Sequence, residues 1–288
     1  MIGPFDYKIP KSLGAACDIL WDNRKSGWPA KVIAGGTDLV IGLRKEELRP
    51  GCLVDVTGIR ELRRIEEKEG MIIIGAAVTH SEIASSPVLK KYGAVLAEAA
   101  SWVGSPQIRN LGTLGGNIVN ASPSADTIPS LMVLNATARV VSKKGEREVP
   151  LSELFVGPYE SSLKPCEILM QVQFPRLPEG AKFSFIRLAR REAMAISRMS
   201  IAAIVQMKKE LIEDLRVSVG AVTPTPQRMV EAETLLIGSS AEEEKLRLAA
   251  QEISKRMIRF SGPRPSTAYK KPVIEALFMR AVRNALQG

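Results

Sequence analysis

Two glycine-rich segments constrain what this chain can fold into more than any other feature. The first, Ala34–Asp38 (Ala-Gly-Gly-Thr-Asp), follows the short run Lys31–Ala34, and the second, Thr113–Asn117 (Thr-Leu-Gly-Gly-Asn), comes much later. Consecutive glycines lack the Cβ atom that keeps a ligand away from the main chain, and they readily take positive φ, so several backbone N–H groups can converge on an anion. A single Gly-Gly pair is more typical of a turn or a bulge. Two matched pairs favour loops that hold one phosphate-bearing ligand from two sides.

The surroundings of the two segments predict different local structures. Lys31–Ala34 has the pattern of a short buried strand, and Thr37 is placed to cap a helix over Leu39–Lys45. The order of strand, glycine loop and helix start favours anion binding. After the second segment, Asn117–Pro123 shows no helical periodicity, which predicts a loop or a turn-rich crossover.

The composition predicts an ordinary globular protein. The chain has 288 residues, of which 45% are hydrophobic, so it has room for a full core and for two or three small domains. No apolar run approaches the roughly 20 residues needed to cross a bilayer, and residues 1–7 show neither a basic region nor an apolar signal core. We therefore expect a cytoplasmic protein without a transmembrane segment.

Cysteine and histidine are scarce, which argues against several kinds of site. The three cysteines, Cys17, Cys52 and Cys166, form no Cys-x-x-Cys pair, so they indicate free thiols and no metal motif. His80 is the only histidine, which excludes the common multi-histidine metal sites and leaves a hydrolase without its usual base. The net charge of +9 comes from basic residues interspersed with acidic ones, and aromatic residues make up only 5%. Nucleic-acid binding is therefore not expected.

The first third of the chain predicts an α/β unit. Two strands are predicted after the first glycine segment, Cys52–Val56 and Met71–Ala76. Thr79–Glu82 is predicted to cap a short helix, and Ser86-Pro87 to begin a helix that continues through Val103. At this strand-to-helix corner His80 either supports local structure or contacts a ligand.

The later part of the chain predicts a hairpin, a domain boundary and a second domain. Ala136–Ser142 and Glu146–Leu151 flank a turn at Lys144-Gly145, and Glu167–Phe174 follows as a strand. Pro175–Gly180 is rich in turn formers and is the predicted boundary. Beyond it we predict three antiparallel strands and then three helices, which together make an α+β layer domain. They are Phe183–Arg187, Ser200–Met207, Leu215–Gly220, Ala232–Ile237, Glu242–Phe260 and Tyr269–Leu286.

The two glycine motifs in this order, followed by Ser122–Asp126 (Ser-Pro-Ser-Ala-Asp), resemble the flavin subunit of the molybdenum hydroxylases. That family includes carbon monoxide, xanthine and aldehyde dehydrogenases. The resemblance covers nearly the whole chain and implies an α+β protein. Its FAD-binding domain, of the vanillyl-alcohol-oxidase (PCMH) type, would take residues 1–176, with α/β subdomains of about 1–57 and 58–176. A small C-terminal domain with a three-stranded antiparallel sheet and helices would take residues 180–288.

In that family the two loops hold the pyrophosphate of FAD and the neighbouring ribityl and adenosine groups. The backbone N–H groups of Gly35, Gly36 and Gly116 would approach phosphate oxygens. The residues that the resemblance places at the cofactor through these loops are Lys31, Val32, Ile33, Ala34, Gly35, Gly36, Thr37, Asp38, Leu39, Thr113, Leu114, Gly115, Gly116 and Asn117.

The resemblance also places five residues near FAD from outside the loops. Asp126 would accept a hydrogen bond from a cofactor hydroxyl, although it is equally suited to capping the turn before Pro129. Leu169 would lie against the flavin ring, and Arg187 would stand at the flavin edge where the family often has a lysine. Ile196, in the loop Arg190–Ile196, would shield the ring. Val103 takes a place that is aromatic in other members.

Departures in the same region leave the electron acceptor open among NAD, a quinone and oxygen. Met194 and Ala195 replace acidic residues of some members, and Val103 replaces an aromatic one. The chain carries no predicted catalytic residue, because flavin chemistry resides in the cofactor.

The resemblance implies partners that hold the other redox groups. A large subunit would carry the molybdopterin cofactor, a small iron–sulfur subunit would carry two [2Fe-2S] clusters, and the complex would be a dimer of heterotrimers. The cysteine count supports the assignment of the clusters to a partner subunit. Two clusters with four cysteine ligands each need more thiolates than the three that this chain has. Two alternatives remain: a stand-alone FAD oxidoreductase of the vanillyl-alcohol-oxidase type, and a basic binding module without enzymatic activity.

Overall fold

The structure is a computed structural model and describes residues 4–25, 27–191 and 194–287. Residues 1–3 of the N-terminal stretch, on which the cytoplasmic prediction partly rests, lie outside the described residues. The chain has an α+β fold, as predicted, with a small parallel sheet, a larger antiparallel sheet and a C-terminal antiparallel sheet with helices. Within the described ranges no helix is both long enough and apolar enough to cross a membrane.

The first subdomain is a three-stranded parallel sheet with one covering helix. Its elements are β1 (Asp6–Lys8), α1 (Leu13–Asp22), β2 (Ala30–Ile33), α2 (Leu39–Arg44) and β3 (Cys52–Asp55). The strand order is β1-β3-β2. The buried face of α1, with Ala16, Cys17 and Leu20, packs in one core with Val54 of β3. Because parallel strands end at the same edge, the glycine loop after β2 lies at the carboxyl edge of this sheet.

The second subdomain is built on a five-stranded antiparallel sheet of order β4-β5-β10-β6-β7. Its strands are β4 (Ile65–Lys68), β5 (Met71–Gly75), β6 (Thr137–Ser142), β7 (Gly145–Pro150) and β10 (Ile168–Pro175), with a small hairpin of β8 (Phe155–Gly157) and β9 (Glu160–Ser161). Its helices are α3 (His80–Ser85), α4 (Pro87–Tyr92), α5 (Ala94–Ser101), α6 (Pro106–Leu111), α7 (Leu114–Asn120), α8 (Thr127–Val133) and α9 (Leu151–Leu154).

Two local predictions for this subdomain, a capping box and a hairpin, are confirmed, and a third, a single long helix, is wrong. The capping box of Thr79 and Glu82 is present, and β6 and β7 form the predicted hairpin. The single helix predicted from Ser86-Pro87 through Val103 is wrong, because Gly93 ends α4 and precedes α5. A Cβ at Gly93 would come within 2.9 Å of the ring of Phe174 in β10. The sheet leaves no room for a side chain at this position, so the chain has a glycine there and the helix is interrupted, although the apolar periodicity continues past it.

The C-terminal domain packs a four-stranded antiparallel sheet against three helices. The strands are β11 (Lys182–Leu188), β12 (Met199–Lys208), β13 (Leu211–Gly220) and β14 (Gln227–Arg228), and the helices are α10 (Val230–Leu236), α11 (Glu243–Ser261) and α12 (Thr267–Gln287). The three predicted strands and three helices are present. The fourth strand, β14, was missed because it has only two residues, paired with β13 through Ser218 and Val219.

The C-terminal sheet is buried on both faces, which attaches the domain firmly to the second subdomain. Along β12, Ala202 and Ile204 join the core of the second subdomain, whereas Ile201 and Ala203 pack with α11 and α12. Successive side chains of a strand point to opposite faces of the sheet, so neighbouring residues of β12 join different cores. Helix α8 of the second subdomain lies against β12 and β13, and α5 lies against β11.

Candidate cofactor-binding site

The first glycine loop touches the residues that lead directly into the second, Leu111 and Gly112. A Cβ on Gly35 would lie 1.9 Å from the carbonyl oxygen of Leu111 and 3.0 Å from Cα of Gly112. Only glycine permits this approach of two main chains, so Gly35 serves packing between the loops. A ligand held by the first loop therefore lies beside the segment that leads into Thr113.

The first loop presents a run of free backbone donors. Gly36 has φ of +70°, and among the described residues the backbone N–H groups from Gly35 to Asp38 find no acceptor, whereas the N–H of Val40 donates to Gly36 O at 2.9 Å. Successive free N–H groups around a residue of positive φ form a concave anion-binding nest. The predicted cap is wrong in detail, because the N-cap of α2 is Asp38 and not Thr37, and no side chain caps the helix.

The second loop is the start of a helix, contrary to the predicted turn-rich crossover. Thr113 caps α7 by accepting a hydrogen bond from the N–H of Gly116 at 3.1 Å. The N–H of Gly115 donates to Ala76 O at 2.8 Å, and a Cβ on Gly115 would meet the Cβ of Ala76 at 2.6 Å. The two glycines hid the helix from a periodicity argument, since glycine is a poor helix former.

The pairing of these donors changes what each loop offers to a ligand. The N–H of Gly116 is already bound to Thr113 Oγ1, so the free donors of the site lie mainly in the first loop. Gly116 itself faces open space, since a Cβ there would meet only Thr113 Oγ1, at 3.0 Å. Asn117 is partly exposed, and its Oδ1 accepts from Thr127 Oγ1 at 2.6 Å.

The remaining residues of the first segment surround the nest. Lys31, Val32 and Ile33 belong to β2, Ala34 follows it, and Leu39 opens α2. Leu114 is fully buried in the core of the second subdomain, so its contribution to a ligand site is limited to its main chain.

Asp126 and Arg187 form a buried ion pair between the second subdomain and the C-terminal domain. Arg187 Nε lies 3.6 Å from Asp126 Oδ2, and the two side chains are only 5% and 8% exposed. Ser197 bridges them, donating to Asp126 Oδ1 at 2.6 Å and accepting from Arg187 Nε at 2.8 Å. Arg187 also donates to the carbonyl oxygens of Trp102 and Ala195. Burial raises the pKa of Asp126, and the hydrogen bond from Ser197 and the charge of Arg187 offset only part of that effect.

The segment that Arg187 holds carries the most exposed large apolar side chain described. Ile196 is 81% exposed and follows Ala195, whose carbonyl oxygen is bound by Arg187. Residues 192 and 193 of the predicted flavin-face loop lie outside the described residues. Val103 is anchored through its carbonyl oxygen, which accepts from Arg109 at 3.0 Å. Leu169 is buried in β10, in the core of the second subdomain.

Three residues at the junction were missed by sequence reasoning. Leu111 and Gly112 form the surface on which Gly35 packs, and Arg109 fixes the turn before them. Gly112, directly before Thr113, was the one sequence signal for this contact, and the sequence did not show that it packs against Gly35.

Comparison with known proteins agrees with this geometry. Residues 3–177 match the family described as the FAD binding domain in molybdopterin dehydrogenase, and residues 184–285 match the CO dehydrogenase flavoprotein C-terminal domain. The chain belongs to the FAD-binding subunits of the molybdenum hydroxylases. It is thus an oxidoreductase subunit, as the two motifs predicted.

Relatives of this FAD-binding subunit resemble it over almost their whole length. The 6-hydroxypseudooxynicotine dehydrogenase complex subunit alpha of Paenarthrobacter nicotinovorans is 33% identical, with 98% of this chain and 94% of the relative covered. The putative xanthine dehydrogenase FAD-binding subunit of Escherichia coli is 30% identical over 97% of this chain and 95% of the relative. A carbon monoxide dehydrogenase structure from Hydrogenophaga pseudoflava superposes with a TM-score of 0.91 at 28% identity, covering 100% of this chain and 99% of that one.

The residues present in this subunit fit an FAD cofactor. The N–H groups from Gly35 to Asp38, which have no acceptor in the described part of the chain, suit a pyrophosphate. Among the described residues no group of three or more metal-ligating side chains occurs.

Proposed function

We propose that the subunit holds FAD at the first glycine loop, beside the start of the second, and that it relays electrons from the iron–sulfur clusters of a partner subunit to a terminal acceptor. The run of unpaired N–H groups from Gly35 to Asp38 is the observation that carries this proposal. A bound flavin supplies the electron-carrying chemistry, because it can exchange electrons singly or in pairs.

The two loops have separate tasks in this proposal. The first loop binds the pyrophosphate through its main chain, with Lys31–Ile33 of β2 and Leu39 of α2 holding the loop in shape. The second loop contributes the hydroxyl of Thr113, the side chain of Asn117 and the open face of Gly116. Leu114 and Gly115 support it from within the core.

Beyond the loops, we propose that Arg187 positions the flavin-facing segment. Its charge is matched by Asp126, and its donors hold Ala195 and Ser197 on either side of Ile196. Ile196 then covers one face of the ring with an apolar side chain. In this arrangement Val103 and Leu169 are apolar neighbours of the flavin.

The partners are proposed to carry the other cofactors. A large molybdopterin-binding subunit hydroxylates the substrate, a small subunit with two [2Fe-2S] clusters passes electrons on, and the complex is a dimer of heterotrimers. The free thiols of Cys17, Cys52 and Cys166 support a cytoplasmic location, because cytosolic proteins keep their cysteines reduced.

The test begins with the complex purified from its native source. We expect flavin, iron and molybdenum in one assembly with three kinds of subunit. A flavoprotein isolated without iron or molybdenum would support the stand-alone oxidoreductase instead, and a colourless chain that binds nucleic acid in a salt-sensitive manner would support the basic module.

A variant locates the cofactor. Gly116→Val places a branched side chain into the open space beside Thr113, and we expect FAD content to fall by at least half. Gly14→Val in α1 is the matched control, because a Cβ at Gly14 meets nothing within 4 Å. Unchanged FAD content in the Gly116 variant would remove the second loop from the site.

A further inference from the structure

The single histidine of the chain lies against Gly112, where the first glycine loop packs on the residues that lead into the second. His80 is 2% exposed and opens α3, and its backbone N–H donates to Gly112 O at 3.0 Å. Its ring atom Cδ2 lies 3.3 Å from the place where a Cβ on Gly112 would be, and Thr37 Oγ1 lies 3.6 Å from the same place. The imidazole thus packs on Gly112, the residue on which Gly35 of the first loop also packs.

The two ring nitrogens of His80 differ in their surroundings. Nδ1 is buried and has no hydrogen-bond partner within the described part of the chain. Nε2 has no partner among the described residues either, but it is not sealed, so it borders accessible space. Nε2 is bonded to Cδ2, the atom nearest to Gly112. The accessible edge of the ring therefore lies on the side of the two loops.

The ring is neutral at physiological pH. Burial, and then the charge of Arg109, lower the pKa of His80 to about 4. A neutral imidazole has one N–H donor and one acceptor nitrogen. A proton on Nδ1 would be a buried donor without an acceptor, which proteins strongly avoid, so the proton belongs on Nε2.

We infer that His80 is a cofactor-binding residue, whose Nε2–H donates to an oxygen of FAD at the junction of the two loops. The inference rests on the proposed function, because it requires FAD in this cleft. Without a ligand, Nδ1 has no partner among the described residues and Nε2 can meet only solvent, whereas polar atoms of a side chain as buried as this one are nearly always paired within the protein or with a bound ligand. Diphosphate and sugar oxygens of the cofactor are the acceptors that the loops would bring to this place.

Three substitutions at this position separate hydrogen bonding from packing. In His80→Gln the amide nitrogen can reach the place of Nε2, whereas in His80→Asn it reaches only the place of Nδ1. His80→Leu removes both polar atoms at similar volume. The dissociation constant of FAD is measured by equilibrium dialysis with the full-length apo chain. Thermal unfolding of each apo chain shows whether the variant is folded.

We expect the Gln variant to bind FAD within about threefold of the wild type, and the Asn and Leu variants to bind about tenfold more weakly, as the loss of one hydrogen bond predicts. Equal binding by all variants, or equal weakening by Gln and Leu, would refute the role of His80 while leaving the proposed function intact. Failure of the wild-type chain to bind FAD would refute the proposed function itself. Should the Leu variant not fold, the comparison of Gln with Asn decides.

Discussion

The close approach of the first glycine loop to Leu111 makes Gly35→Ala the most informative single substitution. The new Cβ would lie 1.9 Å from Leu111 O and 2.5 Å from the carbonyl carbon of Leu111, whereas ordinary contact begins near 3.4 Å. The loops must therefore separate by about 1.5 Å, the difference between the contact distance and the first of these values. Both opposing atoms belong to the main chain, so no side-chain rotation can relieve the clash.

The expected magnitude follows from this geometry. Overpacking costs typically about 1–3 kcal/mol, and we expect about 3 kcal/mol because the obstacle is backbone. For a chain of this size that lowers the unfolding midpoint of the apo protein by roughly 5 °C. Separation of the loops also moves the nest relative to Gly112, so FAD affinity should fall by at least about tenfold through the loss of one charged hydrogen bond.

The assay is differential scanning fluorimetry of the apo chain together with an FAD titration. Gly14→Ala is the control, because its Cβ has no neighbour within 4 Å and it lies in helix α1, where alanine is the better helix former. An unfolding midpoint and an FAD affinity equal to those of the wild type in Gly35→Ala would refute the direct contact between the loops.

Three further predictions concern the ion pairs. Asp126→Asn leaves Arg187 buried without its counter-charge, so we expect a loss of about 3 kcal/mol in the free energy of unfolding, visible as a lower midpoint. Arg187→Lys keeps the charge but cannot reach Ala195, Trp102 and Ser197 together, so limited proteolysis should cut near residues 194–198 faster than in the wild type. For Glu167, burial opposes ionisation, but hydrogen bonds from Arg147 and the backbone of Lys164 outweigh it and lower the pKa. Because a lowered folded pKa stabilises the protein above the unfolded value of about 4.3, Glu167→Gln should cost about 1 kcal/mol at pH 7, given the partial exposure of Arg147. That difference should shrink as the pH falls below the unfolded value and through the folded pKa; a difference that does not change with pH would contradict this prediction.

Local sequence signals predicted those parts of the fold that depend on near neighbours. The capping box of Thr79 and Glu82 and the hairpin at Lys144-Gly145 involve residues a few positions apart, so the sequence contains both partners of each interaction. The α7 helix was missed because Gly115 and Gly116 lower the helical signal, and only the cap by Thr113 and packing against Ala76 make the helix stable.

By itself the sequence predicted two glycine segments that would hold a pyrophosphate, and it showed that three scattered cysteines are too few for two four-ligand iron–sulfur clusters. Tertiary structure alone decided how the loops are used. Gly35 is glycine because Leu111 lies against it, Arg187 is neutralised by Asp126 from another domain, and His80 is held neutral beneath Gly112. Each of these depends on residues far apart in the chain, whose proximity arises from the packing of sheets and helices and leaves no periodic signal in the sequence.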